Sequence, residues 1–199
     1  MPTILQQALE QHMKVVGAID REFPVLERIA ERMTRAILAG NKVLWCGNGG
    51  SAADSQHLAA EFVGRFLRER KALPSIALTT NTSVLTAIGN DYGYEHVFQR
   101  QVEALGTPGD VLVGISTSGN SSNVCLALSA AREKGVFAVA FTGETGGKMA
   151  EIADETLRIH STEIPRIQEA HILCGHIICD YVEQAICSAP AAHQQLALS

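Results

Sequence analysis

The chain has no run of basic residues, no apolar stretch approaching the roughly 20 residues that a membrane-spanning helix needs, and no pair of cysteines at CxxC spacing. With a formal net charge of −5 and no Lys/Arg cluster, nothing is offered to a nucleic-acid backbone or an anionic membrane surface, and neither is expected as a partner. The start, Met1-Pro2-Thr3-Ile4-Leu5-Gln6-Gln7, lacks the basic and apolar regions of a secretory signal. The five cysteines, Cys46, Cys125, Cys174, Cys179 and Cys187, are odd in number; they read as reduced thiols, and Cys174 and Cys179 as packing residues of an apolar helix. A cytoplasmic location is the expectation. Internal repeats and low-complexity linkers are also missing.

What is present is ordinary globular composition, 199 residues with 46% hydrophobic and 19% charged, enough for one core with an accessory segment. Residues 3–39 have helical spacing (Leu5, Ala8, Leu9, Met13, Val16, then Leu26, Ile29, Ala30, Met33, Ile37), with Pro24 placed to open a helix and Gly40 to close one. Strands are predicted at 43–46, 75–79, 111–115 and 136–141, with a weaker one at 155–159. Helices are predicted at 52–67, 121–134 and 164–187. The strands are continuous apolar runs separated by helices, which predicts an α/β fold: a parallel five-stranded sheet, doubly wound, with an N-terminal helical extension. The expected organisation is a helical segment 1–40, a core domain 41–187 and a loose tail 188–199.

Two small-residue loops follow strand ends: Gly47-Asn48-Gly49-Gly50-Ser51 and Ser116-Thr117-Ser118-Gly119-Asn120-Ser121. Ligands of open parallel sheets bind beyond the carboxyl ends of the strands. Glycines admit a ligand close to the backbone, and the helix that follows each loop brings free N–H groups and the positive end of a dipole. No Lys follows in the P-loop position, and GNGGS is not GxGxxG, so nucleotide motifs fail. The remaining reading is a phosphate site, set against the plainer one of tight turns with serine caps.

His57 and Glu61, at i and i+4, share one helix face beside the first loop, a spacing that suits a divalent transition metal, zinc first, or a solvated ion pair. On the last helix, Gln168 and His176 are separated by about 80° and about 12 Å, so one ion reaches both only if the side chains lean together or come from different subunits. His171 faces about 140° away from His176 and reads as a packing residue. Asp91, beside Asn90, reads either as a hydroxyl acceptor or as a turn residue. Arg65 and Arg166 are phosphate or hydroxyl partners or plain surface charges. Trp45 reads as core.

Taken in order, Cys46–Ser51 with Gln56–Glu61, then Gly89-Asn90-Asp91, Gly114–Ser121, and Arg166-Ile167-Gln168-Glu169-Ala170-His171 with His176, the chain resembles the phosphoheptose isomerase family of the sugar-isomerase (SIS) class over about residues 5–187. The resemblance implies isomerisation of sedoheptulose 7-phosphate to D-glycero-D-manno-heptose 7-phosphate for bacterial lipopolysaccharide heptose, in a cytoplasmic, zinc-dependent homotetramer with interfacial sites. It implies zinc ligands His57, Glu61, Gln168 and His176, with Glu61 as base and His176 as acid. It implies substrate contacts from Asn48, Gly49, Gly50, Ser51, Glu61, Asn90, Asp91, Ser116, Thr117, Ser118, Ser121 and Gln168. Pro165 stands where some members carry an Asp, which removes one sugar contact. Two rivals are a pentose or hexose phosphate isomerase of the same class and a non-catalytic regulator of the kind that associates with the bacterial replication initiator. That regulator lacks the acid and the histidine found here at 61 and 176.

Overall fold

The computed structural model describes residues 1–189. Its frame is a single sheet of five strands, β1 (Val43–Gly47), β2 (Ser75–Ala77), β3 (Val111–Ile115), β4 (Phe137–Thr142) and β5 (Glu155–Arg158), in the order β2-β1-β3-β4-β5. Every neighbouring pair is parallel, with Val43 beside Val111 and Gly47 beside Ile115 at the centre. The helices are α1 (Ile4–Val16), α2 (Phe23–Leu38), α3 (Gly50–Val63), α4 (Thr82–Tyr92), α5 (Gln99–Leu105), α6 (Ser122–Glu133), α7 (Met149–Ile152) and α8 (Ile164–Ser188).

The continuous apolar strands are explained by burial on both faces. Val43, Trp45, Val111, Val113, Val139 and Phe141 point into one cluster with residues of α2, α3 and α8. The alternate residues Leu44, Cys46, Leu112, Ala138 and Ala140 enter a second cluster with α5 and α6. Each large apolar side chain so buried contributes about 1.5–3 kcal/mol. Trp45 is a core residue: it is fully buried, meets Phe62 edge-on at 5.8 Å, and donates its indole N–H to Ser75 Oγ at 2.9 Å.

The helical stretch predicted over 3–39 is two helices. Gly17 closes α1, a 3-10 turn at Ile19–Glu22 follows, and Pro24 stands in the first turn of α2, where it needs no N–H partner. The helix predicted at 52–67 starts earlier, at Gly50, and stops at Val63, because Gly64 and the segment after it are held by Arg70 and Glu183 instead. The segment 82–105, where the apolar pattern predicts no element, holds α4 and α5; α4 has no fully buried residue and rests on the second cluster only through Leu85 and Ile88. Of the tail predicted at 188–199, residues 190–199 lie outside the described residues, and Ser188 ends α8.

Candidate active site

The chain leaves β1 toward β2 on one side and returns as β3 on the other, so a crevice opens at the carboxyl ends of β1 and β3. Both loops lie there. Gly47 sits so close to Ile115 O and Ser51 that a Cβ would lie 2.8–2.9 Å from them. Gly49 has φ +56°, a backbone that disfavours a side chain, and it caps α3. In the second loop Ser116 Oγ lies 2.9 Å from Ser121 Oγ and 3.4 Å from Ser118 Oγ. Ser116 is buried, Thr117 and Ser121 are half-buried and Ser118 is exposed. Gly119 (φ +66°) packs on Gly146 with no room for a Cβ. The crevice therefore has a hydroxyl cluster on one side and the N-termini of α3 and α6 behind its two loops, a setting that attracts an anion.

Two turns along α3 from Gly50, His57 and Glu61 face α8. His57 Nε2 lies 2.9 Å from His176 Nε2 and 3.3 Å from Glu61 Oε1. One ligand atom from each of the three residues lies within 4.8 Å of the other two. This approach depends on Gly175. A Cβ there would lie 2.5 Å from Leu58, the neighbour of His57, so the missing side chain lets α8 close on α3. Two imidazole nitrogens at 2.9 Å share one proton or face a cation, and tetrahedral zinc ligands at about 2.1 Å from the ion lie about 3.4 Å apart. The donor set thus fits a catalytic metal with three protein ligands. Burial, then the His57 charge, lowers the pKa of His176, against an opposing pull from Glu61.

The other predicted residues are spread more widely. Gln168 lies over the head of α3, where a Cβ on Gly50 would be 2.5 Å from Nε2 and 3.0 Å from Oε1, so its amide stands at the first loop. Asn90 and Asp91 are exposed on the last turn of α4, joined to each other by a 2.8 Å hydrogen bond. Arg65 pairs loosely with Glu69 at the surface. Arg166 turns to the N-terminal helix, donating to Ala8 O at 2.9 Å and pairing with Glu169, which also holds His12. His171 is fully buried and hydrogen-bonded to Thr142 O, a packing residue.

A model of the SIS domain matches residues 7–143. A phosphoheptose isomerase of Aneurinibacillus thermoaerophilus is 59% identical over 94% of this chain and 96% of that protein. One of Rhodospirillum rubrum is 59% identical over 83% of this chain and 88% of that protein. The chain belongs to the phosphoheptose isomerase family. A solved structure of the phosphoheptose isomerase GmhA from Neisseria gonorrhoeae superposes with a TM-score of 0.86 at 44% identity, covering 90% of this chain and 97% of that one.

Within this phosphoheptose isomerase fold, several residues beside the crevice carry no motif signal that sequence reading detects. Asn123, on the first turn of α6, exchanges two hydrogen bonds with Asn48, and Tyr94 donates to Asn48 Oδ1. Asp54 lies between the first loop and His57 on α3; its Oδ2 is buried without a hydrogen-bond partner, and burial pushes its pKa up to about 6 against the pull of His57. Asn48, in the glycine loop, was the one available pointer to Asn123 and Tyr94. The spacings of 75 and 46 residues to these partners left nothing local to read.

Proposed function

We propose that this chain isomerises sedoheptulose 7-phosphate to D-glycero-D-manno-heptose 7-phosphate by moving a proton between C1 and C2, a step toward bacterial heptose-containing glycans. The observation that carries this is the His57–Glu61–His176 group beside two anion-attracting loops, in a chain 59% identical to named phosphoheptose isomerases.

In this reading the loops hold the phosphate end through Asn48, Gly49, Gly50, Ser51, Ser116, Thr117, Ser118 and Ser121, while Asn90, Asp91 and Gln168 serve the sugar hydroxyls. Binding energy at the phosphate then fixes C1 and C2 beside Glu61 and His176. Glu61 takes a proton from C1; the C–H electrons form the C1–C2 double bond, and the carbonyl oxygen on C2 takes a proton from His176. The enediol then returns its O1 proton to His176 as the C1 carbonyl forms, and Glu61 delivers its proton to C2. Both side chains end in the state in which they began.

Zinc would be held by His57, Glu61 and His176 and would supply Lewis-acid polarisation of the carbonyl; Gln168, the fourth ligand that the family resemblance implies, has its amide at Gly50 and would join the ion only by leaning toward it or from a neighbouring subunit. A carboxylate has two oxygens, so ligation through one leaves the other for a proton. A homotetramer is supported by α1, which buries no residue and exposes Ile4, Leu5, Leu9 and Met13. A cytoplasmic location is consistent with the phosphorylated substrate; no helix of the described residues is long and apolar enough to cross a membrane.

The test is incubation of the zinc-loaded chain with sedoheptulose 7-phosphate and detection of the aldose by NMR. Product with wild type and none with Glu61→Gln is the expected result. Absence of product from the loaded wild-type chain overturns the reading. A regulatory module has no use for an acid–base pair at a metal group, and that pair is what ranks catalysis above the regulator.

A further inference from the structure

Asn48 has a full inventory of partners but for one donor. An Asn amide carries two N–H groups and two acceptor lone pairs. Asn48 Nδ2 donates to Asn123 Oδ1 at 2.9 Å, and Asn48 Oδ1 accepts from Asn123 Nδ2 at 2.8 Å and from the Tyr94 hydroxyl at 3.2 Å. In this arrangement both lone pairs are spent and a single N–H is left for a ligand oxygen. Turning both amides over together keeps their two mutual hydrogen bonds and lets the Tyr94 hydroxyl accept rather than donate, so the contacts fix where the Asn48 amide stands rather than which of its ends meets a ligand.

What holds the Asn48 amide in place is Asn123, which belongs to the helix that follows the second loop and is 3% exposed. A buried amide with both partners supplied by another amide is a costly arrangement to leave half-made. Here it ties the two loops together across the switch point between β1 and β3. We propose that Asn123 is a positioning residue for the phosphate end of the substrate: acting through Asn48, it holds the amide of the first loop in place and sets the distance of that loop from the second. This rests on the reading of the two loops as the phosphate site of an isomerase. Asn123 itself touches neither the reacting carbons nor the metal group, so its effect falls on binding rather than on proton transfer.

The experiment uses the full zinc-loaded chain. Turnover of sedoheptulose 7-phosphate by the wild type tests the isomerase reading and does not involve Asn123. The proposal is tested by Asn123→Ala, Asn48→Ala and the double variant. Removing one member of a buried amide pair corresponds to a loss of about ten- to hundredfold in affinity. Asn123→Ala is therefore expected to raise KM by that factor while kcat changes by less than about threefold. The double variant is expected to raise KM no further than Asn48→Ala alone, because the two residues act as one unit. Inorganic phosphate gives the same comparison without turnover: Asn123→Ala is expected to need at least about tenfold more phosphate for the same rise in melting temperature. Asn123→Ser replaces it in the same measurements if the alanine variant does not fold. A KM and a phosphate requirement within about twofold of wild type, or single-variant effects that multiply in the double variant, overturn the proposal.

Discussion

His57 Nε2 and His176 Nε2 face each other at 2.9 Å across the contact of α3 with α8. Two neutral imidazoles in this position compete for one proton, while a cation between them satisfies both. Removal of either ring, by His57→Ala or His176→Ala, is expected to drop bound zinc from about one ion per chain to nearly none, as measured by mass spectrometry of the dialysed protein. Chelation of the wild type is expected to lower turnover and added zinc to restore it; full activity in the metal-free chain would take the metal out of the mechanism.

Glu61→Gln keeps the shape of the side chain and removes its basicity. Turnover is expected to fall by about 10²- to 10⁴-fold, the usual contribution of a positioned acid or base, with circular dichroism and melting temperature close to wild type. A variant with near wild-type turnover would remove Glu61 as the base.

The sheet was readable because its strands are buried on both faces, and continuous apolar runs such as Val111–Ile115 are the pattern of a parallel sheet covered by helices on both sides. The glycine loops and the i, i+4 pair of His57 and Glu61 were readable because their chemistry is local. His176 could be named only through family resemblance; its place beside His57 depends on Gly175 meeting Leu58, a contact between helices far apart in sequence. Gln168 shows the limit of helix geometry: its eight-residue separation from His176 suggested a different end of the site, and its amide does lie at Gly50. Helix α4 escaped detection because it has no fully buried residue and meets the core only through Leu85 and Ile88. Asn123 and Glu183 escaped because a polar residue that is buried by its partners looks, in sequence, like one that is solvated.

Gly175→Ala tests the helix contact directly. The added Cβ would lie 2.5 Å from Leu58 Cδ2 and 2.6 Å from Cδ1, so the fully buried Leu58 side chain or the helix must shift. Overpacking of this kind costs about 1–3 kcal/mol, and because His57 and His176 are the adjoining residues, zinc affinity is expected to fall with stability. Denaturant titration and a metal competition assay measure the two; unchanged zinc affinity would mean that the helix spacing does not set the metal group.

His171 gives the molecule an acid-sensitive point away from the site. Its Nε2 donates to Thr142 O at 3.1 Å, its Nδ1 is buried without a partner, and burial pulls its pKa from 6.5 down to about 4. The unfolded chain takes up this proton below pH 6.5 and the folded chain only near pH 4. Stability contributed by the neutral ring is therefore present above pH 6.5 and lost as pH falls toward 4, about 3 kcal/mol in all. His171→Gln, which keeps an N–H for Thr142, is expected to flatten the fall in urea midpoint between pH 7 and pH 4.5 (about the window of the shift). Equal slopes for variant and wild type in the chelated protein would refute the assignment.

Glu183 organises the segment that leaves α3. Its carboxylate, 1% exposed, accepts the backbone N–H groups of Phe66, Leu67 and Arg68 at 2.9, 2.7 and 2.7 Å and the Arg70 Nε–H at 3.0 Å. Arg70 in turn donates to the carbonyls of Glu61, Phe62 and Gly64, the frayed end of α3. Burial alone would push the pKa of Glu183 up, but the N–H donors of Leu67, Phe66 and Arg68 and the Arg70 charge together hold it below its usual range. Phe66, fixed by this clamp, lies with its ring 5.3 Å from that of His176. Glu183→Ala takes the counter-charge from the buried Arg70 guanidinium, leaves three backbone N–H groups without their acceptor and is expected to cost about 3–5 kcal/mol. Arg70→Met alone strands the carboxylate instead. The double variant should lose less than the two singles added together, since each single change leaves a charge that the other removes. Denaturant midpoints of the four proteins measure this coupling, and additive losses would show that Glu183 and Arg70 support the end of α3 independently.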